Sequence, residues 1–181
     1  MIAHLELWTG LGGDMFVGAL LDAGWNADRL DALVARLGVP GARVRIERRR
    51  HDELTGLGIV VESEEDPPHR GLAEIAPLLE RAAGSPVVAE RAREVFRRIA
   101  AAEGRIHGIA PERVHFHEIG ALDSIVDVLA TIQGLHDLGI EHLTAPPLPI
   151  TGGEVRMAHG RWPVPAPATS LLLEGWPVRP L

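Results

Sequence analysis

The chain of 181 residues contains no cysteine. This absence excludes a disulfide framework and any metal site built from thiolates. It also fits a reducing compartment, and we expect the protein in the cytoplasm. If the chain binds a metal, the ligands must be imidazole nitrogens and carboxylate oxygens. Such ligands favour nickel, zinc, cobalt or manganese over softer ions.

Two further features that the sequence lacks restrict the partners that we expect for the protein. No uncharged run is long enough to cross a bilayer, and the start of the chain lacks the basic region and apolar stretch of a signal peptide. We therefore predict no membrane partner. Lysine and arginine total 18 against 25 aspartates and glutamates, a net charge of −7, which argues against a nucleic-acid partner. One basic segment interrupts this pattern, and it suits either an anionic ligand or the solvated side of a strand: Arg43, Arg45, Arg48, Arg49 and Arg50.

The length and the 46% hydrophobic content fit one domain over residues 1–181. Predicted strands are interleaved with helices, so the fold class is α/β, with α+β as the alternative, and a small mixed sheet is covered by helices. Residues 44–61 are typical of a hairpin. Residues 143–150 predict an edge strand interrupted by proline. Residues 162–169 carry proline at every second position, which predicts an extended loop.

Candidate metal ligands concentrate in residues 114–127. His115 and His117 share a face only on an extended backbone, where side chains repeat every second residue. Asp123 and Asp127 share a face only on a helix, and Asp123 is predicted to cap that helix. With a bend at Gly120, both pairs could converge on one cation. The predicted ligands are His115, His117, Glu118, Asp123 and Asp127.

Simpler explanations exist for the same residues. A His-x-His pair is common on exposed strands, and an aspartate that caps a helix needs no metal. His107 and His159 are additional candidate ligands, although each one alone is typical of a solvated or hydrogen-bonded histidine. Both interpretations of the segment remain open at this point.

A glycine-rich segment follows the first predicted strand and precedes the first predicted helix. Free backbone amides and the positive end of a helix can bind phosphate at such a position. The spacing is neither a Walker loop nor a dinucleotide fingerprint, so a tight turn is the alternative. The predicted phosphate-binding residues are Thr9, Gly10, Gly12, Gly13 and Asp14.

Three segments together resemble LarC, the nickel-insertion protein family of the lactate racemase system. The resemblance covers essentially the whole chain but corresponds only to the N-terminal half of the usual family member. The segments are TGLGGDMFVGALLDAG at 9–24, VHFHEIGALDSIVD at 114–127 and AHGRWPVPAPAT at 158–169.

The resemblance implies insertion of Ni²⁺ into a pyridinium bisthiocarboxylate mononucleotide, which makes the nickel-pincer nucleotide cofactor of lactate racemase-type enzymes. The family reaction consumes CTP, which the C-terminal half is expected to bind. That half is absent here, so this chain alone is not expected to turn over CTP. The implied partners are the mononucleotide and the C-terminal domain or polypeptide. Homo-oligomerisation stays open.

Two departures from the family pattern bear on this interpretation. Family members typically carry aspartate and cysteine before the glycine loop, where this chain has Glu6 and Leu7. Their usual histidine-rich tract is represented only by His69, which makes the histidines of residues 114–127 the better candidates for nickel delivery. Two other functions remain open: a non-catalytic scaffold for the mononucleotide or the C-terminal half, and a metal-dependent hydrolase.

Overall fold

The computed structural model describes residues 1–8, 10–64, 70–116, 119–157 and 160–181. The helices are α1 (Gly13–Asp22), α2 (Ala27–Leu37), α3 (Leu72–Ala82), α4 (Pro86–His107), α5 (Leu122–Asp137) and α6 (Pro167–Leu172). The strands are β1 (Ile2–His4), β2 (Arg43–His51), β3 (Leu54–Glu62), β4 (Arg70–Gly71), β5 (His115–Phe116), β6 (His142–Thr144), β7 (Leu148–Ile150), β8 (Glu154–Met157), β9 (Gly160–Pro163) and β10 (Val178–Pro180).

The predicted mixed α/β class is confirmed. Within the described ranges the strands form five separate two-stranded sheets. β2 and β3 form the predicted antiparallel hairpin, and β4–β5 and β8–β9 are also antiparallel. β1–β6 and β7–β10 are parallel, and each joins segments far apart in the chain.

Local sequence signals account for the ends of two helices. Asn26 accepts a hydrogen bond from the Asp28 amide and begins α2, which ends at Gly38 in the left-handed conformation. Ser85 accepts a hydrogen bond from the Val88 amide at the start of α4, and Pro86 occupies the first turn. Asparagine and serine are among the residues preferred at a helix N-cap, so both helix starts follow from residues adjacent in the chain.

One core joins five helices and the hairpin. α1 lies between β3 and α5, while α4 packs against α3, α5 and α6. Apolar residues at helical spacing supply the inward faces, and burying each large side chain contributes roughly 2 kcal/mol. The largest side chains that are almost completely buried include Leu30, Leu33, Leu37, Ile75, Leu79, Phe96, Ile125 and Leu129.

A polar network ties the end of α5 to α2. Asp137 Oδ2 accepts hydrogen bonds from Trp25 Nε1 at 2.9 Å and from Arg29 Nε at 3.0 Å. The buried side chain of Gln133 donates to Asp137 Oδ1 and accepts from the Gly84 amide. Burial alone would raise the pKa of Asp137, but its hydrogen bonds and Arg29 hold that pKa below its ordinary value. The network fixes the helix that carries Asp123 and Asp127.

Two local predictions were wrong. Asp123 does not cap α5, because Ala121 occupies the cap position and Asp123 lies in the first turn, where its Oδ1 accepts from the Ser124 amide at 2.7 Å. The predicted extended loop at 162–169 instead contains the end of β9 and the start of α6. Pro167 stands in the first turn of α6, where its missing N–H breaks no helical hydrogen bond.

The predicted edge strand at 143–150 is also different. It is two short strands, β6 and β7, which pair with β1 and β10 respectively. The prolines at 146 and 147 lie between them, where neither needs to donate an N–H to a ladder. The predicted bend at Gly120 is confirmed, since residues 119–120 form a turn immediately before α5.

None of the helices in the described ranges is long and apolar enough to cross a membrane.

Candidate functional site

Two of the predicted functional segments meet in the structure. The N-terminus of α1 packs against the first turns of α5, so that Gly13 faces Asp127 across 113 intervening positions. A Cβ atom built on Gly13 would lie 2.5 Å from Asp127 Oδ2, a distance that no side chain at position 13 could tolerate. The absence of a side chain at Gly13 therefore lets the carboxylate approach the helix end.

Asp14 contributes to the same site through both its backbone and its side chain. Its backbone amide lies near the Asp127 carboxylate and favours the ionised form of that group. Its own carboxylate Oδ2 lies 2.6 Å from Arg49 Nη1 on β2. Arg49 is held in turn by a hydrogen bond from Nη2 to the Ile59 carbonyl oxygen at 2.8 Å. The hairpin thus places the positively charged side chain of Arg49 at the start of α1.

The environment of Asp127 disfavours its ionised form. Burial raises its pKa, and the negative charges of Asp14 and Asp123 raise it further, while the Asp14 amide opposes the change. The resulting pKa is about 6, against an ordinary value of 3.8. Near neutral pH the site therefore concentrates negative charge, which Arg49, the Asp14 amide and the helix end partly offset.

We predict that Asp127→Asn stabilises the fold in a pH-dependent way. Because the folded pKa is raised, the stability contributed by protonated Asp127 is fully present below pH 3.8 and is lost as the pH rises through about 6. Asparagine keeps the hydrogen-bond acceptor without the charge. After allowance for partial solvent exposure, the variant should gain roughly 1 kcal/mol over wild type at pH 8 and little at pH 4.5. Urea unfolding at both pH values measures this.

Asp31→Asn is the matched control, because Asp31 is an exposed aspartate on α2. It should show no such difference between the two pH values. An equal effect of Asp127→Asn at pH 4.5 and pH 8 would contradict the assigned environment of Asp127.

His115, the first of the two histidines predicted as metal ligands, lies on strand β5. It is exposed, whereas the next residue, Phe116, is buried against Phe96. β5 pairs with β4, which aligns Gly71 with His115. Arg70, also on β4, is buried and donates from Nη1 to the Gly120 carbonyl oxygen at 2.9 Å. This contact anchors the turn that connects β5 to α5.

Several predicted site residues lie outside the described residues. These are Thr9, His69, His117, Glu118 and His159. Among the residues that the structure does describe, no group of three or more histidine, aspartate or glutamate side chains is arranged to hold a metal ion. The predicted metal and phosphate sites therefore stay predictions.

The remaining candidates have clear positions. Asp123 is exposed in the first turn of α5, one turn before Asp127. His107 is the last residue of α4, and its Nε2 lies 3.5 Å from Glu103 Oε2. Gly10 and Gly12 precede α1, and Gly12 is its N-cap residue.

Arg49 is the site residue that the sequence did not single out. In the sequence it is one of five arginines that are typical of the solvated side of a strand. Two of the other four, Arg43 and Arg45, do form ion pairs with acidic residues of the hairpin itself, Glu62 and Glu47 respectively. Alternation along β2 distinguishes the two faces of the strand, but it does not show which face meets α1. Only the packing of the hairpin on α1 selects Arg49.

Residues 3–181 match the family model described as nickel insertion protein. Similar curated proteins carry the provisional name nickel insertion protein. One from Thermomicrobium roseum is 48% identical over 99% of this chain, and one from Syntrophobacter fumaroxidans is 44% identical over 97%. One from Geobacter metallireducens is 42% identical over 98%.

The chain spans less than half of the length of these relatives, namely 45%, 45% and 46% respectively. No solved structure matches it. The family model covers almost every residue, including both segments that meet at Gly13 and Asp127. The chain therefore belongs to the nickel insertion protein family.

Proposed function

We propose that this chain binds Ni²⁺ and presents it for insertion into a pyridinium bisthiocarboxylate mononucleotide, the step that makes the nickel-pincer nucleotide cofactor of lactate racemase-type enzymes. The observation that carries the proposal is the contact between Gly13 and Asp127. It brings the start of α1, directly after the glycine loop, against Asp127 of the histidine and aspartate segment, within a chain of the nickel insertion protein family.

The proposed nickel ligands are His115, His117 and a carboxylate from Glu118, Asp123 or Asp127. The Asp127 carboxylate lies close to the carboxylates of Asp14 and Asp123, and a divalent cation would relieve the repulsion that it experiences. Imidazole and carboxylate ligands bind Ni²⁺ less firmly than the sulfur atoms of the acceptor do. Transfer from the protein to the mononucleotide is therefore favourable.

The proposed place for the phosphate of the mononucleotide is the loop from Thr9 to Asp14. A phosphate there would add negative charge beside Asp127, so bound Ni²⁺ would also favour its binding. Arg49, which pairs with Asp14, is a positively charged side chain at this helix end. In this proposal CTP is bound and consumed by the other half of the family sequence.

The hydrolase alternative has no support in the fold. A His-x-His strand of that class belongs to an eight-stranded barrel of roughly 250 residues. The strands in the described ranges form only two-stranded pairs. The other alternative is a scaffold that binds the mononucleotide or the other half without binding nickel. Binding to such a scaffold would be unaffected by chelators, and this is the measurable difference from our proposal.

If the proposal is correct, nickel binding depends on His115 and His117. Untagged chain titrated with Ni²⁺ in a calorimeter should bind the ion, and the double variant His115→Ala, His117→Ala should weaken the affinity by roughly tenfold or more, because two of the ligands are lost. Elemental analysis after gel filtration gives the stoichiometry independently.

The matched control is His136→Ala, His142→Ala, which removes two exposed histidines elsewhere. It should bind Ni²⁺ like wild type. Unchanged affinity and stoichiometry in the His115→Ala, His117→Ala variant would contradict the assignment. Equal losses in both double variants would show nonspecific binding to surface histidines and would also contradict it.

A further inference from the structure

The last quarter of the chain lies on the surface of the fold without a core of its own. None of the described residues in 141–156 and 160–181 is buried. This segment includes β6, β7 and β10, and two of its strand pairs are parallel. Parallel strands in proteins are almost always covered on both faces, and an isolated two-stranded pair is marginally stable.

Large apolar side chains are exposed on the same part of the molecule. Trp8, at the end of the segment that follows β1, is 68% exposed, and Trp176, just before β10, is 62% exposed. Tryptophan is among the residues that contribute most to protein interfaces. We call the following set the strand-pair surface: β1, β6, β7 and β10 with Trp8, Leu143, Trp176, Val178 and Leu181, each of these five side chains being exposed.

The two parallel pairs are connected into one region. Arg179 on β10 donates from Nη2 to the carbonyl oxygens of Leu7 at 2.9 Å and Trp8 at 3.5 Å. The Leu5 amide donates to the Thr144 carbonyl oxygen and so extends the pairing of β1 with β6. These bonds hold β1, β6, β7 and β10 close together, and Leu7 itself is buried beneath them.

The total exposed area is larger than that of a compact monomer. The chain exposes 10708 Å² at a mass of 19.5 kDa. A compact monomeric protein of that mass exposes roughly 8,500 Å². The excess, about 2,000 Å², is enough for one side of a permanent interface, which needs about 1,000 Å² or more from each partner.

We propose that the strand-pair surface is covered by the part of the nickel insertion protein sequence that this chain does not match. The three relatives carry more than half of their length outside the matched region, so in those proteins a partner of sufficient size is attached to the same chain. The proposal names the partner and the surface that it covers, and it does not depend on the nickel ligands.

Hydrogen exchange on a chimera tests the proposal. The chimera is the Thermomicrobium roseum protein in which this chain replaces the matched region, so that the partner is held at high local concentration. Backbone amides of β1, β6, β7 and β10 should exchange at least roughly tenfold more slowly in the chimera than in the isolated chain. Amides of α2, which lies in the core, serve as the internal reference.

Side-chain variants separate docking from folding. Trp8→Ser, Trp176→Ser should abolish the added protection in the chimera while leaving the melting temperature of the isolated chain unchanged, because both side chains are exposed there. Trp162→Ser, on β9, is the matched control and should retain the protection. The His115→Ala, His117→Ala variant should also retain it, which distinguishes this proposal from the proposed nickel function.

Two results would overturn the proposal. One is equal exchange of the four strands in the chimera and in the isolated chain. The other is a dimeric mass for the isolated chain by light scattering that becomes monomeric with Trp8→Ser, Trp176→Ser, since the surface would then be covered by a second copy.

Discussion

Replacing Gly18 by alanine is expected to destabilise the fold by roughly 3 kcal/mol or more. A Cβ atom at this position would lie 2.0 Å from the Leu57 carbonyl oxygen of β3, and 2.7 Å from its carbonyl carbon. Both are backbone atoms of a strand that β2 holds along its whole length, so neither can move away cheaply. The change would force α1 off the hairpin and displace Asp14 from Arg49.

Helix propensity alone predicts the opposite change in the free energy of unfolding. Alanine is a better helix former than glycine by about 1 kcal/mol, so Gly18→Ala would stabilise the protein if the contact with β3 were absent. Urea unfolding followed by circular dichroism measures the difference. An unfolding free energy equal to or above that of wild type would show that α1 does not lie this close to β3.

Gly134→Ala is the matched control within another helix. A Cβ atom there would meet the end of the Leu20 side chain at 2.9 Å and the Trp25 ring at 3.1 Å. Side chains can adjust where a paired strand cannot, so the loss should be clearly smaller than for Gly18→Ala.

Replacing Phe96 by alanine is expected to cost about 3 to 5 kcal/mol and to weaken the proposed nickel binding as well. Phe96 on α4 is completely buried, and its ring centroid lies 6.2 Å from that of Phe116, with the ring planes tilted by 56°. The large loss follows from the cavity left in the core. The second effect follows because Phe116 is the buried residue of β5, next to His115.

The two effects can be measured separately. Unfolding in urea gives the free energy, and calorimetric titration with Ni²⁺ at low temperature, where the variant stays folded, gives the affinity. Phe96→Leu should lose less stability and retain more of the affinity. Leu79→Ala is the control, because Leu79 is an equally buried core residue on α3. If Leu79→Ala lowered the nickel affinity as much as Phe96→Ala, the role of Phe96 in holding β5 would be disproved.

Much of the local structure could be predicted because its causes are adjacent in the chain. Asn26 and Ser85 cap helices through amides two and three residues away. The hairpin is set by alternation on both sides of a short turn. Predictions failed where the neighbouring residues are compatible with two different backbone conformations. Pro167 is compatible with an extended chain and equally with the first turn of a helix.

The candidate site could be predicted only as two separate segments. The spacing of Asp123 and Asp127 does place both on α5, and the glycines do precede α1. Nothing in either segment indicates that Asp127 meets the end of α1 or that Arg49 reaches Asp14. These contacts join residues that lie 114 and 35 positions apart in the sequence, and they depend on how α1, α5 and the hairpin pack together.

The sequence by itself therefore determined which kinds of ligand the protein can offer, where α2 and α4 begin, and which family it resembles. These properties follow from side-chain chemistry and from interactions within a few residues. Tertiary structure decided the environment of Asp127, the choice of Arg49 among five arginines and the exposure of the strand-pair surface. The physical reason is that burial, charge proximity and close backbone approach are properties of the packed elements, which no single segment possesses before they come together.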